Sequence, residues 1–171
     1  TEPLMAPEAY SVDIQKNRIE VKAAKPAGFF YAMQTIRQLL PVEVERDRKQ
    51  EKVEWLIPVM SITDSPAFKW RGFMLDVSRH FFPKEDVLRM IDNLALHKIN
   101  TLHLHLVDDQ GWRIEIKKYP KLTEVGAWRV DREDKHWNSR PKQEPGEKAT
   151  YGGFYTQEDI KEVVAYAQSR F

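Results

Sequence analysis

Cysteine is missing from all 171 residues. That excludes disulfide staples, thiolate nucleophiles and cysteine-ligated zinc, and it suits an oxidising compartment without requiring one. An excess of one charge is missing too. The 27 basic and 26 acidic residues leave a formal net charge of +1, so no general attraction to nucleic acid or to an anionic membrane is expected. No apolar run approaches the ~20 residues that a membrane-crossing helix needs. The opening stretch TEPLMAPEAY lacks the basic start and apolar core of a signal peptide. Internal repeats and low-complexity blocks are absent. Neither a G-x-x-x-x-G-K phosphate loop nor a G-x-S-x-G nucleophile elbow occurs, and the YGG at 151–153 has no lysine to make it a phosphate loop.

What the chain does contain is enough for a core: 42% of residues are apolar and 31% charged, the balance of a folded domain and not of a disordered tail. YSVDIQKNRIEVKAA (10–24) alternates around a turn-like QKN and predicts two short strands. PAGFFYAMQTIRQLLP (26–41) predicts a helix bounded by Pro26 and Pro41, with Phe29, Met33, Ile36 and Leu40 on one face. EKVEWLIPVMSITD (51–64) reads as a further strand. SPAF (65–68) punctuates the chain, so we expect a small α/β N-terminal domain, itself partial, over 1–66 and a second domain from 67 to 171.

In the second part, RGFMLDV (71–77) predicts a strand with Phe73, Leu75 and Val77 on one side. PKEDVLRMIDNLALHKIN (83–100) predicts a helix: Pro83 suits its first position, Glu85 and Asp86 suit the positive end of its dipole, and Val87, Ile91, Leu94 and Ala95 form its buried stripe. TLHLHLV follows as a strand. TQEDIKEVVAYAQSR (156–170) predicts a second helix, with Thr156 and Asp159 at capping-box spacing and a stripe of Ile160, Val163, Val164 and Ala167. The order βαβα argues for parallel strands under covering helices, an α/β class. Chemistry in such sheets gathers at the carboxyl ends of the strands. SRHFF (78–82) and DDQGW (108–112) both fall on that edge. The 109–155 connection is long for a strand-to-helix link. It carries Trp112, Tyr119, Trp128, Trp137, Tyr151 and Tyr155, so we expect most of it to be ordered. These aromatics can form the loop's own small core or stack on sugar faces, and we expect core for most.

The titratable groups admit more than one role. Asp108 and Asp109 can position a proton donor, bind a hydroxyl or ligate a metal, or they can cap a turn. Asp108 has the strand-end position, and Asp109 is expected to be structural. Arg79 offers planar, multi-donor binding to hydroxyls or carboxylates, or a structural salt bridge to Asp76 or Asp108. His80, His103 and His105 resemble a metal set, but no third ligand has zinc-signature spacing, so core histidines are expected and no metal or cofactor.

The stretch RGFMLDVSRHFFPKEDVLRMIDNLALHKINTLHLHLVDDQGWRIEIKKYPKLTEVGAWR resembles the opening of the catalytic barrel of family 20 glycoside hydrolases, the β-N-acetylhexosaminidases. YGGFYTQEDIKEVVAYAQSR resembles the segment before that family's third barrel strand. Residues 1–66 resemble the end of the small domain that precedes the barrel. The resemblance implies an incomplete (β/α)8 TIM barrel represented by its first two βα units. It implies that Arg79 binds hydroxyls of a terminal N-acetylhexosamine and that Asp108 supports the site's hydrogen-bond network near the catalytic acid. It further implies removal of terminal β-linked GlcNAc or GalNAc with retention, the substrate's own acetamido oxygen acting as nucleophile. The family's adjacent Asp-Glu pair, preceded by Gly-Gly, has no counterpart here, nor does its P-E-x-D-x-P-G-H stretch. The chain alone is therefore expected to be inactive and, with open strand edges, to self-associate. A periplasmic or secreted setting is expected. Two rivals remain at this point: a non-catalytic carbohydrate-binding or interaction module built on the same motifs, and a different barrel glycosidase using Asp108 as its acid.

Overall fold

Strict alternation in YSVDI builds the first hairpin. In the computed structural model, which describes residues 6–46, 48 and 51–170 with main chain only at Trp137, β1 (Tyr10–Ile14) pairs antiparallel with β2 (Ile19–Ala23). The expectations for residues 1–5, for the Trp137 side chain and for Phe171 lie outside the described residues. The chain forms two compact units, one of residues up to Arg71 together with 95–100, the other of 72–94 and 101–170.

In the first unit, β3 (Met60–Asp64) adds to the other side of β1, giving the order β2-β1-β3. The strand expected over 51–64 is thus limited to its last five residues. Pro58 lacks the N–H a ladder needs, and pairing begins only two residues beyond it. Helix α1 (Pro26–Leu39) starts with Pro26 in its first turn and stops before Pro41. Its predicted face holds at Ile36, which packs on the core, and is corrected nearer the start: Gly28, Tyr31 and Ala32 are buried, whereas Phe29 and Met33 are exposed. Gly28 is the reason. A Cβ there would sit 2.4 Å from the Ala9 carbonyl oxygen, so only a glycine lets the helix come this close to the Ala9 main chain, and that approach turns Tyr31 and Ala32 onto Tyr10, Val12 and Ile14. A short 3-10 turn follows at Val42–Glu45. The 95–100 segment contributes Lys98, which holds a left-handed φ of 58°. Its ammonium donates to the Tyr10 hydroxyl, to Thr35 Oγ1 and to Asp64.

In the second unit, β4 (Gly72–Asp76) and β5 (Thr101–His105) pair in parallel, Asp76 level with His105. Helix α2 (Lys84–Leu96) connects them. The Pro83 carbonyl accepts from the amides of Asp86 and Val87, so Pro83 precedes the helix and caps it. The helix ends four residues before the predicted limit of 100, because the left-handed Lys98 cannot continue it and donates its amide to Ala95 instead. Val87 and Ile91 are buried with Val77, Tyr155 and Val163. Leu75 and Val77 meet this core, as does α4 (Gln157–Gln168), but Phe73 is exposed. In α4 the stripe is Ile160, Val163 and Ala167. Val164 is exposed, since Tyr166, bonded to Asp92 of α2, shares the packed side.

Thr156 and Asp159 form a complete capping box at the start of α4, and Asp159 also receives the Lys84 ammonium. The Thr156 hydroxyl, then Lys84, hold the Asp159 carboxyl down at about 2, from an ordinary 3.8. A depressed carboxyl stabilises the fold fully above its unfolded pKa and loses that contribution as pH falls toward its folded pKa. Asp159→Asn should therefore cost about 1 kcal/mol at pH 7. Urea midpoints of the two proteins should converge between about pH 5 and pH 1; a gap undiminished at about pH 1 would refute this.

The long connection is built from short elements. A tight hairpin joins β6 (Val107–Asp108) to β7 (Gly111–Trp112). Helix α3 (Lys121–Glu124) makes one turn. Strands β8 (Trp128–Arg129) and β9 (Tyr151–Gly152) pair antiparallel, with a 3-10 turn at Trp137–Ser139 between them. Of its aromatics, Tyr155 is buried and donates to the Phe82 carbonyl. Trp112 and Tyr151 are half-buried, and Tyr119 and Trp128 are exposed.

Candidate functional site

The carboxyl ends of β4 and β5 carry one cluster. Asp76 closes β4. Its Oδ1 accepts the amides of Ser78 and Arg79 at 3.0 and 3.1 Å, which turns the chain sharply after the strand. Its Oδ2 then accepts from Arg79 Nη1 at 2.9 Å. From the neighbouring hairpin, Asp108 Oδ2 meets Arg79 Nη2 at 2.8 Å. Arg79 thus lies in both of the salt bridges that its position in the sequence allows.

His105 closes β5 and points its Nε2 at Asp108 Oδ2, 2.8 Å away, and at Arg79 Nη1, 3.0 Å away. One nitrogen cannot serve both at once. Protonated, it donates to Asp108; bare, it accepts from Arg79. Asp109 is exposed and donates its amide to Asp108 Oδ1 at 2.8 Å. His80 lies in a different group, where its Nδ1 faces Glu133 and the Tyr151 hydroxyl. His103 neighbours His105 on the strand, with ring centroids 6.4 Å apart. Among the described residues, no three His, Asp or Glu side chains converge as a metal site.

The electrostatics define what this cluster can do. The amide of Asp109, then the His105 ring, with Arg79 adding its charge, hold the Asp108 carboxyl down at about 2. Burial pushes Asp76 up, but the amide and guanidinium of Arg79 and the amide of Ser78 outweigh it and leave the carboxyl below its ordinary value. Both groups are therefore ionised at neutral pH. A carboxylate with so low a pKa is a poor proton donor there, so Asp108 suits orientation and charge balance better than general acid catalysis. The guanidinium has five donors. The two carboxylates engage one each, and a third of the Arg79 side chain stays exposed. The edge can present a fixed, planar fork of N–H groups to a polyhydroxylated ligand.

Behind this edge stand two arginines that sequence reasoning passed over. Arg113 is fully buried. It donates to the carbonyls of Val77 and Ser78, at 3.0 and 2.8 Å, and to those of Ala127 and Gly153. Gly111 allows it in: a Cβ there would sit 2.3 Å from the guanidinium carbon. Arg129 donates to the Arg79 and Gln110 carbonyls. Asp76 was weighed only as a partner for Arg79. The available signal was parity, since Gly111 and Arg113 alternate with Trp112 on the inward side of a short strand, and the repeated Trp-Arg at 112–113 and 128–129.

Comparison with known proteins adds the family. The model of the glycosyl hydrolase family 20 catalytic domain matches residues 68–171, and that of the family's domain 2 matches residues 1–65. A β-hexosaminidase of Porphyromonas gingivalis is 44% identical over 164 residues, covering 96% of this chain and 19% of its own length. The N,N'-diacetylchitobiase of Vibrio harveyi is 38% identical over 95% of this chain and 18% of its own. Among solved structures, the exo-β-N-acetylglucosaminidase of Vibrio harveyi in complex with N-acetylglucosamine superposes with a TM-score of 0.79 at 42% identity, over 99% of this chain and 25% of its own. The N-acetyl-β-hexosaminidase of Streptomyces plicatus does so with a TM-score of 0.79 at 44% identity, over 95% and 29%. The chain spans less than a third of the length of each of these proteins.

Proposed function

The chain belongs to glycosyl hydrolase family 20, and from that premise we propose that the enzyme built on it removes non-reducing terminal β-linked GlcNAc or GalNAc from glycans. In this reading β4 and β5 are the first two strands of an eight-stranded barrel, and their carboxyl ends form part of its sugar-binding rim. Arg79 binds hydroxyls of the terminal sugar. Asp108 keeps Arg79 and the surrounding hydrogen bonds in place near the catalytic acid. The observation that carries this is the Arg79 guanidinium, fixed between Asp76 and Asp108 at the strand ends with part of its surface open.

The reaction is retaining and substrate-assisted. The acetamido carbonyl oxygen of the sugar attacks the anomeric carbon as the glycosidic bond breaks, and a glutamic acid protonates the departing oxygen. Water then opens the cyclic intermediate, with the same glutamate as base. The adjacent Asp-Glu that would orient the acetamide and move the proton is not among these 171 residues. The segment by itself should therefore leave p-nitrophenyl-β-GlcNAc untouched, while the full-length enzyme containing it hydrolyses the aryl glycoside to GlcNAc and p-nitrophenol. Assaying the two preparations side by side tests both statements. A full-length protein inactive on aryl and natural N-acetylhexosaminides would refute the assignment, and one that still bound such glycans would be a carbohydrate-binding module. Turnover by the purified segment, free of host enzyme, would refute the placing of the chemistry.

A further inference from the structure

We infer that Arg129 is a positioning residue of the sugar-binding edge, tying the loop that carries Arg79 to the hairpin that carries Asp108. The inference rests on the function proposed above. Arg79 and Asp108 belong to separate segments, one after β4 and one after β5, and their ion pair alone joins two partly exposed side chains. Arg129 joins the main chains behind them. Its Nη2 donates to the Arg79 carbonyl at 2.7 Å, and its Nη1 to the Gln110 carbonyl at 3.1 Å. Gln110 is two residues from Asp108, so one planar guanidinium spans both segments on the Arg79 side, while the Ser78 hydroxyl joins them one residue away through the Gly111 carbonyl at 2.8 Å.

Arg129 is itself held on three sides. It sits on β8 opposite Tyr151. Its guanidinium lies 4.6 Å from the centre of the Tyr151 ring, and Glu133 accepts from Nη2 at 2.7 Å. The Tyr151 hydroxyl in turn accepts the Phe81 amide at 3.2 Å, which fixes the Arg79 segment a second time. A lysine cannot reproduce this, because a single ammonium has no fork to span two carbonyls. Arg113 differs in degree: it is fully buried and grips four carbonyls on three segments, one of them the Val77–Ser78 base of the Arg79 turn, whereas the two carbonyls that Arg129 holds are those of Arg79 itself and of the Asp108 hairpin. Loss of Arg129 should loosen the site while leaving the core.

The test uses the full-length enzyme with Arg129→Met and Arg129→Lys. A displaced Arg79 holds the sugar less well in the ground state and the transition state alike, so the KM for p-nitrophenyl-β-GlcNAc should rise about tenfold in both variants, with kcat changed less. Because Arg129 acts through Arg79, adding Arg129→Met to an Arg79→Ala background should change KM by less than about threefold. An unchanged KM in the single variants, or a full tenfold effect on the Arg79→Ala background, would overturn the inference; the latter would mark a general structural role. A second readout does not depend on turnover. His105 Nε2 contacts both Arg79 and Asp108, so its ring resonances, identified through His105→Gln, should move in Arg129→Lys. If the wild type hydrolyses no N-acetylhexosaminide, the proposed function fails, and the His105 signal still decides whether Arg129 positions the pair: unchanged resonances overturn it.

Discussion

Arg113→Met should destabilise the fold by about 3–5 kcal/mol, the largest stability effect we expect from one substitution. The Arg113 side chain is fully buried and its hydrogen bonds end on four main-chain carbonyls, those of Val77, Ser78, Ala127 and Gly153. Methionine fills much of the same channel but donates nothing. Each buried acceptor left without a donor costs about 1–3 kcal/mol, and relaxation or entering water recovers part of the sum. Burial, and then the like charge of Arg129, push the guanidinium pKa down. It nevertheless remains charged at any pH at which the protein is studied, so the penalty should not vary with pH. Lysine should rescue only part, since its ammonium cannot meet four acceptors spread around a planar group. Denaturant unfolding gives the number, and a loss below about 1 kcal/mol would mean the carbonyls find other partners.

Arg79→Ala should lower kcat/KM of the full-length enzyme for a terminal N-acetylhexosaminide by about 10²–10⁴. Two hydrogen bonds from a charged donor to sugar hydroxyls contribute about 1.5–3 kcal/mol each, and about 1.4 kcal/mol corresponds to a factor of ten. The substitution also removes the cation shared by Asp76 and Asp108. Both carboxyl pKa values should then move up toward the ordinary range, because Arg79 is among the groups that hold them down. The acid limb of the pH–rate profile would shift to higher pH as a result. Arg79→Lys keeps the charge without the fork and should lose roughly 10–100-fold. Steady-state kinetics on p-nitrophenyl-β-GlcNAc decide the matter, and a loss of less than tenfold for Arg79→Ala would remove Arg79 from the binding site.

Periodicity exposed much of this fold and sterics hid the rest. The parallel βαβ order and the capping box of α4 follow from alternation, from three-to-four spacing and from Thr156 with Asp159, and the structure shows both. The start of the α1 face did not follow. An apolar count favours Phe29 and Met33, but Gly28 permits a close approach that no hydrophobicity pattern records. The end of α2 was hidden for a similar reason, since a lysine with positive φ is not a residue one expects to stop a helix. At the site, the strand-end rule brings Arg79 and Asp108 to one edge, and the structure puts them 2.8 Å apart. It could not reveal Arg113 or Arg129. Their partners are carbonyls from distant stretches of chain, and a carbonyl leaves no mark in the letters of a sequence.

That last property has a consequence for how this segment tolerates change. A clamp made of side chain against side chain ties two positions together, so each can vary only with the other. The Arg113 clamp is asymmetric: every residue offers the same oxygen, so the guanidinium is indifferent to which amino acid presents it. As far as this clamp is concerned, substitutions at Val77 and Ala127 are then limited by local space, whereas Ser78 also keeps its hydroxyl on the Gly111 carbonyl and Gly153 its φ of 153°; the requirement for a guanidinium falls on Arg113 by itself. Loops built this way can drift in composition, and so adjust what they recognise, while the rim they form keeps its shape.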